Sequence, residues 1–420
     1  MVRFLKNGNK DETRAQILYW LCSGFVYTML FWTFLNSMLA IFISIYWLFF
    51  LKKKFSLFSQ RSRMIILFSS LYLIGIAGLI YTSNMTKGMT VLQKQSAILF
   101  FPLVFGTTSV LSSQYLKKII NHYLIATGLA CITGLSIGLY NFSTNGGIEA
   151  ITGRGLLYFH AFNPIVMGLY CLLALIYIFT YDLAGVEKRK TGLIILSVIL
   201  SVFILLLSVR IIIFSWFLLV IFFIWKYLKE KYQRIIFSIG LLLLFVISGL
   251  TITPLKKKWT ELVNFSGENS IVLDKDSSLG RGWGGTAIRV AIWKCSADII
   301  KDHWLLGVGT GDIQDSLQQA YENRKFYFAS RYNQYNAHNQ YLQFAVGFGI
   351  PGLLLFILNI IIPLFHYHRK YLQDIYWLFL AVFAITALTE SLLEINKGII
   401  LYSFFNSIFA FTGSINGKQQ

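Results

Sequence analysis

The sequence predicts an all-α polytopic membrane protein with about twelve transmembrane helices and a helical cap on its outer side. Three observations predict it. The 420 residues are 56% hydrophobic and only 13% charged, where a soluble domain carries about one quarter charged residues. Apolar runs of roughly 16–23 residues recur along the chain, enough to cross a hydrocarbon core of roughly 30 Å. Short basic clusters fall at every second connection between those runs, the pattern that sets orientation in a bilayer.

The elements follow in order. Residues 17–50 are apolar over too great a length for one straight span, and Asn36 lies near the middle, so a hairpin of two helices is expected. No small-residue cleavage site follows the first apolar run, which is therefore a retained span rather than a signal peptide. The next segment holds Lys52, Lys53, Lys54, Arg61 and Arg63 and is cytoplasmic by the positive-inside rule. The N-terminal arm, with Arg3, Lys6, Lys10 and Arg14, then shares that side. Further spans are expected near 64–81, 96–112, 119–141, 158–179, 191–206, 210–225 and 235–252. Lys117–Lys118, Lys188–Lys190 and Lys226–Arg234 mark their cytoplasmic ends. Spans near 341–363, 375–391 and 397–413 close the chain, with the basic turn His366–Lys370 inside and both termini cytoplasmic. This divides the chain into a membrane region, 1–252, with about nine spans, an outer cap, 253–337, and a membrane region, 338–420, with three.

The outer segment carries eleven Lys/Arg and nine Asp/Glu, so its charge is nearly balanced. Gly267–Gly285 is rich in Gly, Ser and Asp and reads as loop. Thr286–Lys301 spaces Ile288, Ile292, Trp293, Ile299 and Ile300 as an amphipathic helix. Gly307–Gly311 is a glycine-rich turn, Asp312–Tyr321 a short helix, and Tyr327–Tyr341 is dense in Tyr, Asn and Gln, side chains suited to hydrogen-bonding sugars. A structureless loop of this length would be unusual, so a small folded cap is expected.

Composition also excludes functions. The net charge of +19 would suggest nucleic acid in a soluble protein, but the basic residues sit in short loops between spans. Cys22, Cys131, Cys171 and Cys295 are widely separated, with neither a disulfide framework nor a metal cluster in their spacing. The glycine-rich turn lacks the lysine and the spacing of a nucleotide-binding loop. No metal and no cofactor is expected.

Arg210, Arg289 and His338 stand out, because the span count puts all three on the outer side. Arg210 follows the polar interruption Ser208–Val209 between two apolar runs, and an arginine facing a cavity at a span edge is commonly functional. Arg289 lies on the amphipathic cap helix. Guanidinium forks suit phosphate oxygens, so the pair would clamp a pyrophosphate and stabilise charge as it leaves. His338, just before a span, would orient or deprotonate a hydroxyl; His303 and His160 are its competitors. Glu390 and Glu394, at the outer end of the eleventh span, would pair with an arginine or contact a sugar. Asn163, Asn339 and Tyr341 complete the candidate substrate-binding set.

These residues lie in blocks that resemble the O-antigen ligase and O-antigen polymerase superfamily. Arg289–Val290–Ala291–Ile292–Trp293 leads to Trp304–Leu305–Leu306–Gly307–Val308–Gly309, and His338–Asn339–Gln340–Tyr341–Leu342–Gln343 to Gly347–Phe348–Gly349–Ile350–Pro351–Gly352. Ser208–Val209–Arg210 is similar to the family's Ser-x-Arg, and Leu92–Gln93–Lys94–Gln95 through Phe101–Pro102–Leu103 to an upstream block. Many members have His-Pro where this chain has Asn163–Pro164; Asn hydrogen-bonds but does not titrate, which leaves His338 as the better base. The resemblance implies a twelve-span, GT-C-like enzyme of the bacterial inner membrane, working at the periplasmic face. Its donor would be an undecaprenyl-pyrophosphate-linked glycan, its acceptor lipid A-core or another lipid-linked glycan, and its transfer inverting and metal-independent. Arg210 and Arg289 would hold the pyrophosphate and His338 the acceptor hydroxyl. One long outer segment late in the chain is the ligase arrangement, with polymerase as the alternative. A lipid-linked sugar transporter is disfavoured, because the chain shows neither inverted repeats nor midplane charges.

Overall fold

The computed structural model describes residues 10–51, 59–108, 110–157, 162–182, 190–251, 285–366 and 373–412, and every regular element among them is a helix. The helices are α1 (Lys10–Phe31), α2 (Thr33–Phe50), α3 (Gln60–Gly78), α4 (Met85–Gln95), α5 (Ala97–Thr107), α6 (Ser113–Asn145), α7 (Pro164–Tyr177), α8 (Lys190–Leu207), α9 (Arg210–Tyr227), α10 (Lys231–Thr251), α11 (Gly285–Asp302), α12 (Ile313–Asn323), α13 (Gln340–His366), α14 (Gln373–Ala387) and α15 (Asn396–Thr412). His160, Lys52–Lys54, residues 253–284 with nearly all of the loop Gly267–Gly285, and most of the basic turn His366–Lys370 lie outside the described residues.

The expected count of about twelve spans, and the twelve-span GT-C-like architecture with it, does not hold. Among the described residues six helices are long and apolar enough to cross a membrane: Thr33–Phe50, Gln60–Gly78, Met85–Thr107, Ser113–Thr144, Arg210–Tyr227 and Gln340–Phe365. Pro164–Thr180, Thr191–Leu207 and Gln373–Ala387 are apolar but shorter. At 1.5 Å per residue a 17-residue helix reaches only about 25 Å, short of the roughly 30 Å core. The expected N-terminal hairpin forms, but α1 opens on Lys10, Asp11, Glu12 and Arg14 and is not among the six.

Two of the short helices are central. Every residue from Ile165 to Tyr177 of α7 is buried, as is nearly every residue of α15. A helix that is apolar all round and wrapped by others needs only to match its neighbours, so hydropathy alone reads it as one more lipid-facing span. Asn36 ties the α1–α2 hairpin, donating to the Phe25 carbonyl and the Thr28 hydroxyl, each at 3.1 Å. Arg61 caps the end of α5 through the carbonyls of Phe105, at 2.7 Å, Gly106 and Thr108.

The fold's most specific joint pairs the glycine-rich turn with a break in α13. Gly349 has φ 63° and ψ −155°, and Pro351 has no N–H to give the Gly347 carbonyl four residues earlier. Gly309 N–H fills that acceptor at 3.0 Å and Val308 N–H fills the Val346 carbonyl at 3.0 Å, while Ile350 N–H turns to the Trp304 carbonyl at 2.8 Å. The exchange resembles a short strand pairing. Only glycine permits it at 307, where φ is +70° and a Cβ would stand 2.3 Å from the Gly347 carbonyl carbon. The close approach at this turn is therefore to the protein's own backbone. The turn is pinned on its other side to the α3–α4 connection, with the Thr310 hydroxyl on the Gly75 carbonyl at 2.6 Å and Gly311 N–H on the Thr82 hydroxyl at 2.9 Å.

Candidate functional site

Arg210 is the first residue of α9 because the chain breaks just before it. Ser208, buried, adopts φ 53°, a left-handed conformation uncommon for a residue with a Cβ. Its N–H and hydroxyl turn back to the carbonyls of Leu205 and Leu206, ending α8 and letting α9 start afresh. Arg289 lies in the first turns of α11. Its Nη1 donates to the Gly285 carbonyl and its Nε to the Thr389 carbonyl, both at 3.2 Å. A Cβ built on Gly285 would stand 3.5 Å from Arg289 Nη1 and 3.8 Å from Arg210 Nη2. Two guanidinium groups 79 positions apart in sequence thus flank one point at the start of α11, which a glycine leaves open.

His338 is held next to this pair. It too is left-handed, with φ 43°, and its N–H donates to Asn336 Oδ1 at 3.0 Å. Its Nδ1 meets Glu390 Oε1 at 3.2 Å, and the Tyr335 ring packs edge-on at 5.3 Å between centroids. Glu390 is buried, with a side chain 3% exposed, whereas that of His338 is 23% exposed. A buried carboxylate at Nδ1 fixes the tautomer that carries its proton there and leaves Nε2 as the acceptor. Left-handed non-glycine residues cost roughly 1–3 kcal/mol and tend to gather where geometry serves function. Of the four among the described residues, Ser208 and His338 are both here.

The segment 336–343 is clamped to 389–394. Asn339 N–H donates to Ser391 Oγ at 3.3 Å, Ala337 N–H to Gln343 Oε1 at 3.1 Å, and Leu393 N–H to Gln340 Oε1 at 2.6 Å. Arg289 and His338 are therefore tied to consecutive residues, Thr389 and Glu390.

The remaining candidates make contacts within the protein. Asn339 Oδ1 caps α13, accepting from the N–H groups of Tyr341 and Leu342 at 2.9 and 3.1 Å. The Tyr341 hydroxyl donates to the Ala384 carbonyl at 3.1 Å. Asn163 caps α7 by accepting from Ile165 N–H at 2.9 Å. Glu390 binds the histidine rather than an arginine. Glu394, partly buried, meets Gln95 Nε2 at 3.4 Å, and desolvation pushes its carboxyl up to about 7 against the opposing field of Lys94. His303 lies just past the far end of α11, fourteen residues after Arg289 and about 20 Å along the axis.

Arg154 and Tyr335 escaped the sequence reading. Arg154 is exposed in the short helical turn Gly153–Leu157, and Gly153 lies against the Leu207 carbonyl beside the break that presents Arg210. Burial raises the Tyr335 phenol, and the charges of Arg154 and Arg289 both oppose that rise. The Arg154 guanidinium thus belongs to the same positive field. Only the short segment 142–157 could have signalled it, and there a single arginine looks like an interface anchor.

Three cations, a histidine braced by a buried carboxylate and a half-buried phenolic ring make a site that can hold a polyanion and accept a proton from a neighbouring hydroxyl. No curated protein matches the chain. Residues 195–357 match the family model described as O-antigen ligase, a span that contains Arg210, Arg289, His338 and both members of the paired glycine joint. Over residues 195–357, less than half of its length, the chain is similar to the O-antigen ligase family.

Proposed function

We propose that the chain is a glycosyltransferase that moves a glycan from undecaprenyl pyrophosphate to a lipid A-core acceptor at the periplasmic face of a bacterial inner membrane. The observation that carries this reading is the approach of Arg210 and Arg289 to one point beside Gly285. The pyrophosphate sits between the guanidinium groups, with Arg154 at the rim. The acceptor hydroxyl oxygen attacks the anomeric carbon, and the bond from that carbon to the pyrophosphate oxygen breaks. The electron pair leaves with the undecaprenyl pyrophosphate, and the hydroxyl proton passes to His338 Nε2. Glu390 holds Nδ1–H and stabilises the imidazolium. Attack opposite the leaving group inverts the anomeric centre. The arginines supply most of the barrier lowering, since fixed charge aimed at developing charge is commonly the largest single term.

The orientation rests on charge. Lys117, Lys118, Lys226, Lys229, Lys231 and Arg234 gather at the helix ends opposite the site, which the positive-inside rule assigns to the cytoplasm. The three-region division, with a cap at 253–337, is part of the same proposal. One observation favours the polymerase as a second reading: the turns Ile148–Ile151 and Gly153–Leu157 give the site another ordered outer wall. Reconstitution with purified lipid-linked glycan and separate acceptors tests both. Product on lipid A-core supports the ligase, lengthening on the lipid carrier supports the polymerase, and transfer to neither overturns both.

A further inference from the structure

A groove of about 860 Å³ lies at the far end of α11, between the start of α4 and the exposed side of α12. It is distinct from the arginine site, since His303 on its wall follows a helix run of about 20 Å from Arg289. Its charge is also of the other sign. Asp312 and Asp315 line it, and no arginine or lysine does. Asp312 is fixed by the N–H groups of Ser83 and Asn84 at 2.6 and 2.9 Å, which more than offset its partial burial and hold its carboxyl below the usual range. Asp315 is paired with Lys87 at 2.5 Å. Thr86, Ser316 and Gln319 supply hydroxyl and amide groups and Tyr81 a ring face. Such walls repel an anionic headgroup and suit a neutral, hydroxyl-rich one.

The rim has the opposite character. Ile80, Met85, Trp304, Leu305 and Leu306 are all exposed, Ile80 to 87%. The Tyr81 hydroxyl donates to the Leu306 carbonyl at 2.6 Å, which brings the chain at Ile80–Tyr81 beside the Trp304–Leu306 turn. In a membrane-spanning chain exposed apolar residues face lipid, so a polar groove opening beside them is placed to take the headgroup of a lipid whose tail lies in the bilayer. We propose that the groove binds the saccharide headgroup of a neutral glycolipid whose apolar tail lies against Ile80, Met85 and Trp304–Leu306. Binding here involves no bond making and does not depend on the transfer reaction.

The test uses the full chain in phosphatidylcholine nanodiscs and a photoreactive monoglucosyl diacylglycerol, with cross-linked peptides mapped by mass spectrometry. Label is expected in peptides covering 80–89 and 303–319, and unlabelled monoglucosyl diacylglycerol should compete about tenfold better than phosphatidylglycerol. Gln319→Trp and Thr86→Trp, from opposite walls and both at exposed positions, should each cut labelling there about tenfold while label on lipid-facing helices persists. Label spread evenly over the lipid-facing surface, equal competition by phosphatidylglycerol, or full labelling of both tryptophan variants would overturn the proposal. No turnover enters this readout, so its failure and a failure of glycan transfer are separate results.

Discussion

His338 Nδ1 lies 3.2 Å from Glu390 Oε1, and Glu390 is the residue after Thr389, whose carbonyl holds Arg289. The proposed proton acceptor, His338, and the proposed anion clamp, Arg289, are thereby fixed to one short stretch between α14 and α15. His338→Ala should lower kcat about 10²–10⁴-fold, the range for loss of a positioned acid–base group. Glu390→Gln keeps a polar group beside the ring but loses the charge that favours the imidazolium, and should lower kcat about 10–100-fold with KM little changed. Steady-state kinetics in nanodiscs separate the two parameters. Equal loss in KM for Glu390→Gln would mean that the carboxylate binds acceptor instead.

Arg210 and Arg289 should behave as a coupled pair. Each single alanine variant should cost about 10²–10³-fold in kcat, the scale for losing one charge-stabilising donor. The double variant should fall short of the product of the two losses, because each arginine works on a phosphate that the other helps to place. Lysine at either position should restore charge but not the bidentate fork, and so recover only part of the rate. Independent, multiplicative losses in a double-mutant cycle would show that the two do not share one ligand.

Arg154 offers a readout without turnover. Removing a cation near a phenol removes one of the charges that opposes the rise of its pKa, so Arg154→Ala should move Tyr335 further up. A fluorotyrosine placed at 335 and titrated by NMR measures it. An unchanged titration would remove Arg154 from the site's positive field.

What was legible in the sequence was local. The apolar spacing of Thr286–Lys301 gave a helix that the structure sets at Gly285–Asp302, and Asp312–Tyr321 gave one found at Ile313–Asn323. Asn36 correctly suggested a hairpin, and Ser208–Val209–Arg210 a helix start. Long-range relations were not legible. Hydropathy has no term for burial by other helices, so α7 and α15 read as ordinary spans. The convergence of Arg210 and Arg289 depends on the start of α11 lying against the start of α9. Arg154 is brought there by a connection that has no periodicity to read. The glycine blocks were visible as motifs, but that they pair with each other follows only from the break at Pro351.

That pairing makes a stability prediction. Gly307→Ala would keep a left-handed φ and drive a methyl group into the Gly347–Phe348 backbone at 2.3 Å, so it should destabilise by at least about 1–3 kcal/mol through strain alone. Pro351→Ala should cost far less, since the restored N–H lies in a helix already broken at Gly349. Thermal unfolding in detergent compares them. Equal losses would mean that the joint is held by something other than backbone fit.

Glu394 predicts how stability depends on pH. Unfolded, its carboxyl ionises near its ordinary 4.5; folded, desolvation holds it up to about 7. Between those values the folded state carries the extra proton, so folding is favoured by acid there. The contribution of Glu394 is fully present below pH about 4.5, declines as pH rises toward 7, and is gone above it, where the ionised group sits near Gln95, Gln343 and Lys94 at a cost. The shift corresponds to roughly 3–4 kcal/mol as an upper bound. Glu394→Gln keeps a hydrogen-bonding side chain without the charge, so it should flatten this part of the pH profile and raise the melting temperature most above pH 7. Lys94→Ala should act in the opposite sense, because it removes the charge that eases ionisation. Melting curves of the wild type and both variants from pH 4.5 to pH 8 decide it: parallel profiles for wild type and Glu394→Gln would show that the carboxyl is solvated in the folded protein.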